Sequence, residues 1–236
     1  MKKTIEIVSH CYAGIHSQYA AALCYQLSSF CFCKPSSCNV LATVCYLESD
    51  RATVDVLDFF SKRLDLNPIC LPDVGSLGRR SIGRNKAALQ SKADIVWFAD
   101  VDQVYWGCLD LLADYSWPDD VTMIYPQTIH VHRDHAIGDE ALKLVTKPRL
   151  IKPDLLKFAK KRYSKAIGGV QIVKGDFART HGYLNEHKKW QRPVDIPFGN
   201  FRDDIAYRQF VKLRGKIIGV DLPGMLRLRH TRTTYQ

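Results

Sequence analysis

The stretch Ala93-Asp94-Ile95-Val96-Trp97-Phe98-Ala99-Asp100-Val101-Asp102 runs an apolar segment directly into two carboxylates separated by one residue. A short continuous apolar run of this kind reads as a strand buried on both faces. Positions two apart in an extended chain share a face, so Asp100 and Asp102 are expected to point the same way at the strand's carboxyl end. That is the edge at which open α/β sheets bind ligands. Two anions held this close repel one another, and the usual remedies are protonation or a bound cation. Hard oxygen donors favour Mg²⁺ or Mn²⁺.

Upstream of this stretch the chain alternates. Lys3 to His10 reads as a buried strand, Gln18 to Phe30 as an amphipathic helix and Val40 to Leu47 as a second strand. Arg51 to Leu64 sets Val54, Leu57, Phe60 and Leu64 at helical spacing, Ile69 to Leu71 is a short strand, and Arg84 to Ser91 is a further helix. Such alternation implies an α/β fold with a mainly parallel sheet covered by helices on both faces. Downstream the regularity weakens. Val121 to Tyr125 reads as a strand and Pro153 to Tyr163 as a Lys-rich helix, while His130 to Lys147 lacks periodicity and is expected to be a loop. With 236 residues, 46% of them hydrophobic, the chain is expected to form one domain. Its first half, residues 1–110, carries the regular alternation, and 111–236 the mixed remainder.

At this point the sequence resembles a known family. An Asp-x-Asp after a buried strand is similar to the metal and nucleotide motif of GT-A glycosyltransferases, particularly the inverting family-two group. Three further segments follow in the family's order. Gly83-Arg84-Asn85-Lys86-Ala87 resembles its A-R-N-x-G helix start, with Ala87 where the family usually has Gly. Gly168-Gly169-Val170-Gln171 and Gly182-Tyr183-Leu184-Asn185-Glu186 resemble its acceptor-side strand and G-G-F-D-E turn. Phe198 to Arg208 resembles the G-x-x-E-D segment, with Asp203 in place of Glu. Finally, Leu226-Arg227-Leu228-Arg229-His230-Thr231-Arg232 resembles the strand and histidine that complete metal coordination.

The resemblance implies a GT-A, Rossmann-like sheet in which 1–110 binds the nucleotide sugar and 111–236 the acceptor. It implies a metal-dependent hexosyltransferase using a nucleoside-diphosphate sugar, a UDP-sugar first among them, and transferring to a glycan or other hydroxyl with inversion. Asp102 and His230 would bind Mn²⁺ or Mg²⁺, with Asp100 on the metal or the donor. Arg84 and Arg232 would contact the donor's phosphates, Asn85 would lie near the donor, and Ser9, Tyr12 and Glu48 or Asp50 would frame the nucleotide. Asp204 would be the general base, with Asp203 as second choice. A bare pair of aspartates at a helix start also serves capping and the macrodipole.

Lys and Arg outnumber Asp and Glu by 34 to 24, so the surface should attract anions. The basic run from Lys152 to Lys165 is a solvated face, or a draw for an acidic acceptor or membrane headgroups in peripheral contact. No apolar run is long enough to span a bilayer, and Glu6 stands where a signal peptide would be apolar, so a soluble, cytoplasmic protein is expected. The eight cysteines fall largely within apparent strands and helices, which suits reduced thiols. Cys31, Cys33 and Cys38 lack the paired spacing of a zinc site. His130, His132 and His135 read as a strand end entering a loop rather than a metal cluster.

Two rival classes share some of these features. A sugar nucleotidylyltransferase carries a Gly-rich loop after the first strand, where only Gly14 appears here. A non-catalytic nucleic-acid-binding protein explains the charge and leaves the ordered series from Asp100 to His230 unexplained, and no such module is legible. No nucleic-acid partner is therefore expected.

Overall fold

The computed structural model describes residues 2–14, 18–195 and 202–231. In chain order the strands are β1 (Lys3–His10), β2 (Cys38–Tyr46), β3 (Asp65–Cys70), β4 (Ile95–Ala99), β5 (Gln103–Tyr105), β6 (Val121–Pro126), β7 (Thr128–His132), β8 (Phe158–Arg162), β9 (Val170–Lys174), β10 (Lys216–Val220) and β11 (Met225–Arg227). The α-helices are α1 (Gln18–Phe32), α2 (Arg51–Ser61), α3 (Val74–Gly78), α4 (Arg80–Gln90), α5 (Cys108–Asp114), α6 (His135–Lys143), α7 (Gly175–His181) and α8 (Asp203–Lys212).

The main sheet has the strand order β10-β6-β9-β4-β1-β2-β3. Its pairs β1–β2, β1–β4, β2–β3 and β6–β10 are parallel, and β9 runs antiparallel between β4 and β6. Strand β4 is central and every residue of it is buried, which is why it reads as an unbroken apolar run. Trp97 is fully buried, packs edge-on against Tyr105 at 5.0 Å and donates its indole N–H to the Gly169 carbonyl. The parallel α/β expectation is thus met. A smaller sheet has the order β5-β11-β7-β8, and the chain enters it directly from the ends of β4 and β6. Strand β5 begins at the turn that follows β4, so both sheets converge on Asp100 to Asp102.

Two expectations for the second half are corrected. The segment Pro153 to Tyr163 is not a helix: one 3₁₀ turn at Leu155–Lys157 leads into β8, which pairs antiparallel with β7. Lysine spacing suggested the helix, but Phe158 is the one buried residue of that strand, and no apolar stripe exists to hold a helix down. Pairing with β7 satisfies the backbone instead. The stretch from His130 likewise is not a loop, since it completes β7 and then forms α6, capped by Asp134 accepting from the Ile137 N–H.

None of the eight cysteines is in a disulfide. Among the described residues no helix is long and apolar enough to cross a membrane.

Candidate functional site

Strand β4 ends at Ala99, so Asp100 and Asp102 sit in a turn closed by the Gln103 N–H on the Asp100 carbonyl, rather than alternating along a strand. They nevertheless meet one partner. Arg227 of β11 donates from Nε to Asp102 Oδ2 at 2.9 Å and places Nη2 4.0 Å from Asp100 Oδ2. The other oxygen of Asp100 is shared by Arg80 Nη1 at 3.1 Å and Arg84 Nη2 at 3.4 Å. Three guanidinium groups thus crowd two carboxylates at the carboxyl edge of the sheet.

The electrostatics follow from this crowding. Burial works to raise the Asp100 pKa, but Arg80, Arg84 and Arg227 outweigh it and hold the carboxyl below its ordinary value. Burial works to lower that of Arg80, and Asp100 with Asp203 overrides it, so the guanidinium stays charged. Asp102 does the same for Arg227, against burial.

Arg84, expected at the donor's phosphates, has a fully buried side chain. Its guanidinium is spent on the Tyr183 hydroxyl at 3.0 Å, the Ala99 carbonyl and Asp100. Of the three arginines around Asp100, Arg80 and Arg227 have partly exposed side chains, 32% and 22% exposed. Asn85 is similarly committed. Its amide holds the Gly182–Asn185 turn, accepting from the Tyr183 N–H and donating to Asn185, where Gly182 and Leu184 both take positive φ.

The two acidic residues that open α8 separate cleanly. Asp203 is buried and caps the first turn of α4 from outside, its Oδ2 accepting from the Ser81 N–H. Asp204 is half-buried and lies against the Gly168–Gly169 pair before β9. A methyl group built on Gly168 would sit 3.3 Å from Asp204 Oδ2, and one on Gly169 would sit 2.8 Å from Asp100 Oδ2 and 2.1 Å from Gln103 Nε2. Adjacent Cα atoms are about 3.8 Å apart, so this bare turn brings Asp100 and Asp204 to neighbouring positions. Any larger residue at Gly169 would collide.

The remaining sequence candidates lie nearby or elsewhere. Asp50 caps α2 and also accepts from the Ala13 N–H at 2.7 Å, tying the loop after β1 to the end of β2, while Glu48 is exposed. Ser9 is buried at the end of β1, and Tyr12 is half-buried in the loop beyond it. His230 packs edge-on against Tyr19, with ring centroids 5.7 Å apart, and its carbonyl lies 2.8 Å from His135 Nδ1. Among the described residues no three His, Cys, Asp or Glu side chains form a metal-holding group, so His230 is not gathered with Asp100 and Asp102. Asp102 Oδ1, however, is buried without a hydrogen-bond partner. Arg232 and residues 196–201 lie outside the described residues.

Arg80 and Arg227 escaped the sequence reading. Signals for both exist: Arg80 precedes Arg84 by one helical turn, on the same face. Arg227 falls between Leu226 and Leu228, whose burial leaves it facing the other way from a strand.

Two buried histidines carry a pH prediction. Burial, then Arg84 and Arg80, push the His10 pKa well below 6.5, and burial with Lys157 takes His132 down to about 4. The unfolded chain binds a proton on each that the folded chain refuses. Stability is therefore fully present above pH 6.5 and falls as pH drops from there toward about 4, by about 1.4 kcal/mol per pH unit for each histidine. Thermal unfolding across that window checks it: His132→Phe should show a shallower acid dependence than the parent, and an unchanged slope would refute the assignment.

No family model matches the sequence, and no curated protein matches it. Among solved structures, the mannosyltransferase PcManGT from Pyrobaculum calidifontis, in complex with GDP-Man and Mn²⁺, superposes with a TM-score of 0.52 at 13% identity, over 99% of this chain. This chain spans only 59% of that protein's length. The galactosyltransferase LgtC, in complex with donor and acceptor sugar analogs, superposes at 0.49 and 14% identity, over 92% of this chain and 73% of the other. At such identity the first likeness speaks to architecture alone: this chain, with its large mostly parallel sheet and smaller mixed one, is built on the GT-A fold.

Proposed function

We propose that the chain is a glycosyltransferase that takes a sugar from a nucleoside-diphosphate donor, a UDP-sugar first among candidates, and passes it to an acceptor hydroxyl with inversion. The observation that carries this reading is the Gly168–Gly169 turn, which sets the arginine-ringed Asp100 beside the more open carboxylate of Asp204. One place suits a diphosphate and the next suits a base. Arg80 and Arg227 offer planar forks that match phosphate oxygens.

In transfer, the acceptor oxygen forms its bond to the anomeric carbon while its proton passes to an Asp204 carboxylate oxygen. The bond from that carbon to the diphosphate breaks, and its electron pair stays on the departing phosphate oxygen. Arg80 and Arg227 stabilise the charge that develops there. Asp203 does not take part directly and keeps the start of α4, hence Arg80, in place.

A divalent cation fits this arrangement at one point. Mg²⁺ and Mn²⁺ commonly use one or two carboxylates with phosphate oxygens and water completing the shell, and the unclaimed Oδ1 of Asp102 supplies such a donor. When bound, Mn²⁺ or Mg²⁺ would add Lewis-acid stabilisation of the leaving diphosphate.

The test is a panel of nucleoside-diphosphate sugars incubated with the protein, with Mn²⁺, with Mg²⁺ and with chelator, scoring released nucleoside diphosphate. Release confined to one donor class and suppressed by chelation is the expected result. Pyrophosphate formed from a nucleoside triphosphate and a sugar phosphate, with no nucleoside diphosphate released, would instead establish a nucleotidylyltransferase.

A further inference from the structure

Residues 143–165 contain nine lysines and arginines against one aspartate, a net charge of eight where the whole chain carries ten. The positive charge of the protein is therefore concentrated in one segment. Strand β8 within it is the outer strand of the smaller sheet, and after Phe158 the residues Ala159, Lys160, Lys161 and Arg162 are all exposed, on both faces. Lysines on an outer strand also guard against edge-to-edge pairing, and charge alone would need no other explanation.

The leucines do need one. Leu144 is 69% exposed, Leu150 41%, Leu155 47% and Leu156 84%, so four of the exposed large hydrophobic residues fall in this same segment. Edge protection works by excluding apolar groups, and a merely solvated face gains nothing from them. Aliphatic side chains interleaved with lysines are what an anionic bilayer surface recognises, the charges meeting headgroups and the leucines entering the acyl boundary. A single-stranded nucleic acid would call instead for exposed aromatic rings on which bases stack. Here Phe158 is buried and Tyr163 half-buried.

We propose that this segment, with Leu155, Leu156, Lys157, Lys160 and Lys161 at its centre, docks the protein on an anionic lipid membrane. The placement also bears on the reading given above. Arg227, Val131 and Ala159 are in register across β11, β7 and β8, so the docking strand lies about 10 Å from the strand carrying Arg227. On that reading an acceptor held in the membrane would lie close to the transfer site, although docking itself does not depend on it.

Co-sedimentation with vesicles decides the matter without any assay of transfer. The protein should bind vesicles of phosphatidylcholine mixed with phosphatidylglycerol, bind phosphatidylcholine alone weakly or not at all, and release as salt rises. The triple variant Lys157→Gln, Lys160→Gln, Lys161→Gln should bind roughly 100-fold more weakly, about fivefold for each charge. The double variant Leu155→Ser, Leu156→Ser should bind at least about 10-fold more weakly at every salt concentration. Both variants change exposed side chains, and unchanged thermal unfolding would confirm that they fold. Failure to bind the anionic vesicles, equal binding to both vesicle types, or a leucine variant that binds like the parent would each overturn the proposal. So would single-stranded RNA bound more tightly than the vesicles and insensitive to the leucine changes, which would mark a nucleic-acid surface.

Discussion

Asp204→Asn is expected to lower kcat for transfer by a factor on the order of 10² to 10⁴, the usual contribution of a positioned base, while leaving the affinity for the nucleotide donor near that of the parent. The asparagine keeps the size of the side chain against Gly168, so the turn that presents Asp100 should not move. What is lost is the ability to accept a proton. Asp203→Asn should behave in the opposite manner. Its carboxylate is buried, accepts from the Ser81 N–H and from the Asp204 N–H, and acts electrostatically on Arg80. An amide has one acceptor oxygen, so it keeps one of these two bonds, turns its NH₂ toward the other N–H and brings no charge to the start of α4; a stability loss of about 1–3 kcal/mol with kcat largely kept is expected. Steady-state kinetics of both variants, with donor binding measured separately by calorimetry, tests the pair together. If Asp203→Asn abolishes transfer and Asp204→Asn does not, the roles assigned to the two are reversed and the Gly168 contact is not the acceptor position.

How far the sequence reached depends on whether a feature is local. Strand β4 and its two carboxylates were legible because an apolar run entering Asp100 and Asp102 needs only ten consecutive residues to be recognised. Most strands and helices before it were legible for the same reason, with a periodicity of their own and, at Asp50, a cap; the five-residue α3 is too short to show one, and β3 and α4 begin at Asp65 and Arg80, earlier than Ile69 and Arg84. Arg227 was not. It bonds Asp102 across 125 positions of sequence, and nothing near Leu226 or Leu228 says which acid it will meet. The difference between Asp203 and Asp204 was equally hidden, since both suit a helix start and only the packing of α8 against α4 buries one and leaves the other against Gly168. Strand β8 failed in the reverse sense. Lys157, Lys160, Lys161 and Lys165 mimic helical spacing, while the partner that makes the segment a strand, β7, lies about thirty residues earlier.

Arg84→Met should cost about 3–5 kcal/mol of stability, the range seen when one partner of a buried ion pair is removed. Methionine fills much of the arginine's volume with no charge and no donor, so packing is roughly kept and polar satisfaction is lost. The fully buried guanidinium serves three acceptors, the Tyr183 hydroxyl, the Ala99 carbonyl and Asp100, and its Cζ also lies 5.2 Å from the Tyr183 ring centroid. Asp100 retains Arg80, but the Ala99 carbonyl and Tyr183 hydroxyl lose a donor in the interior. Lysine should not rescue the site, because one ammonium group cannot reproduce a planar fork reaching the end of β4 and Tyr183 at once. Urea unfolding monitored by circular dichroism gives the comparison: both variants should lower the midpoint with the slope unchanged. An Arg84→Lys protein as stable as the parent would show that charge alone is needed there. In that case the fork geometry would not be what holds Asp100 in place.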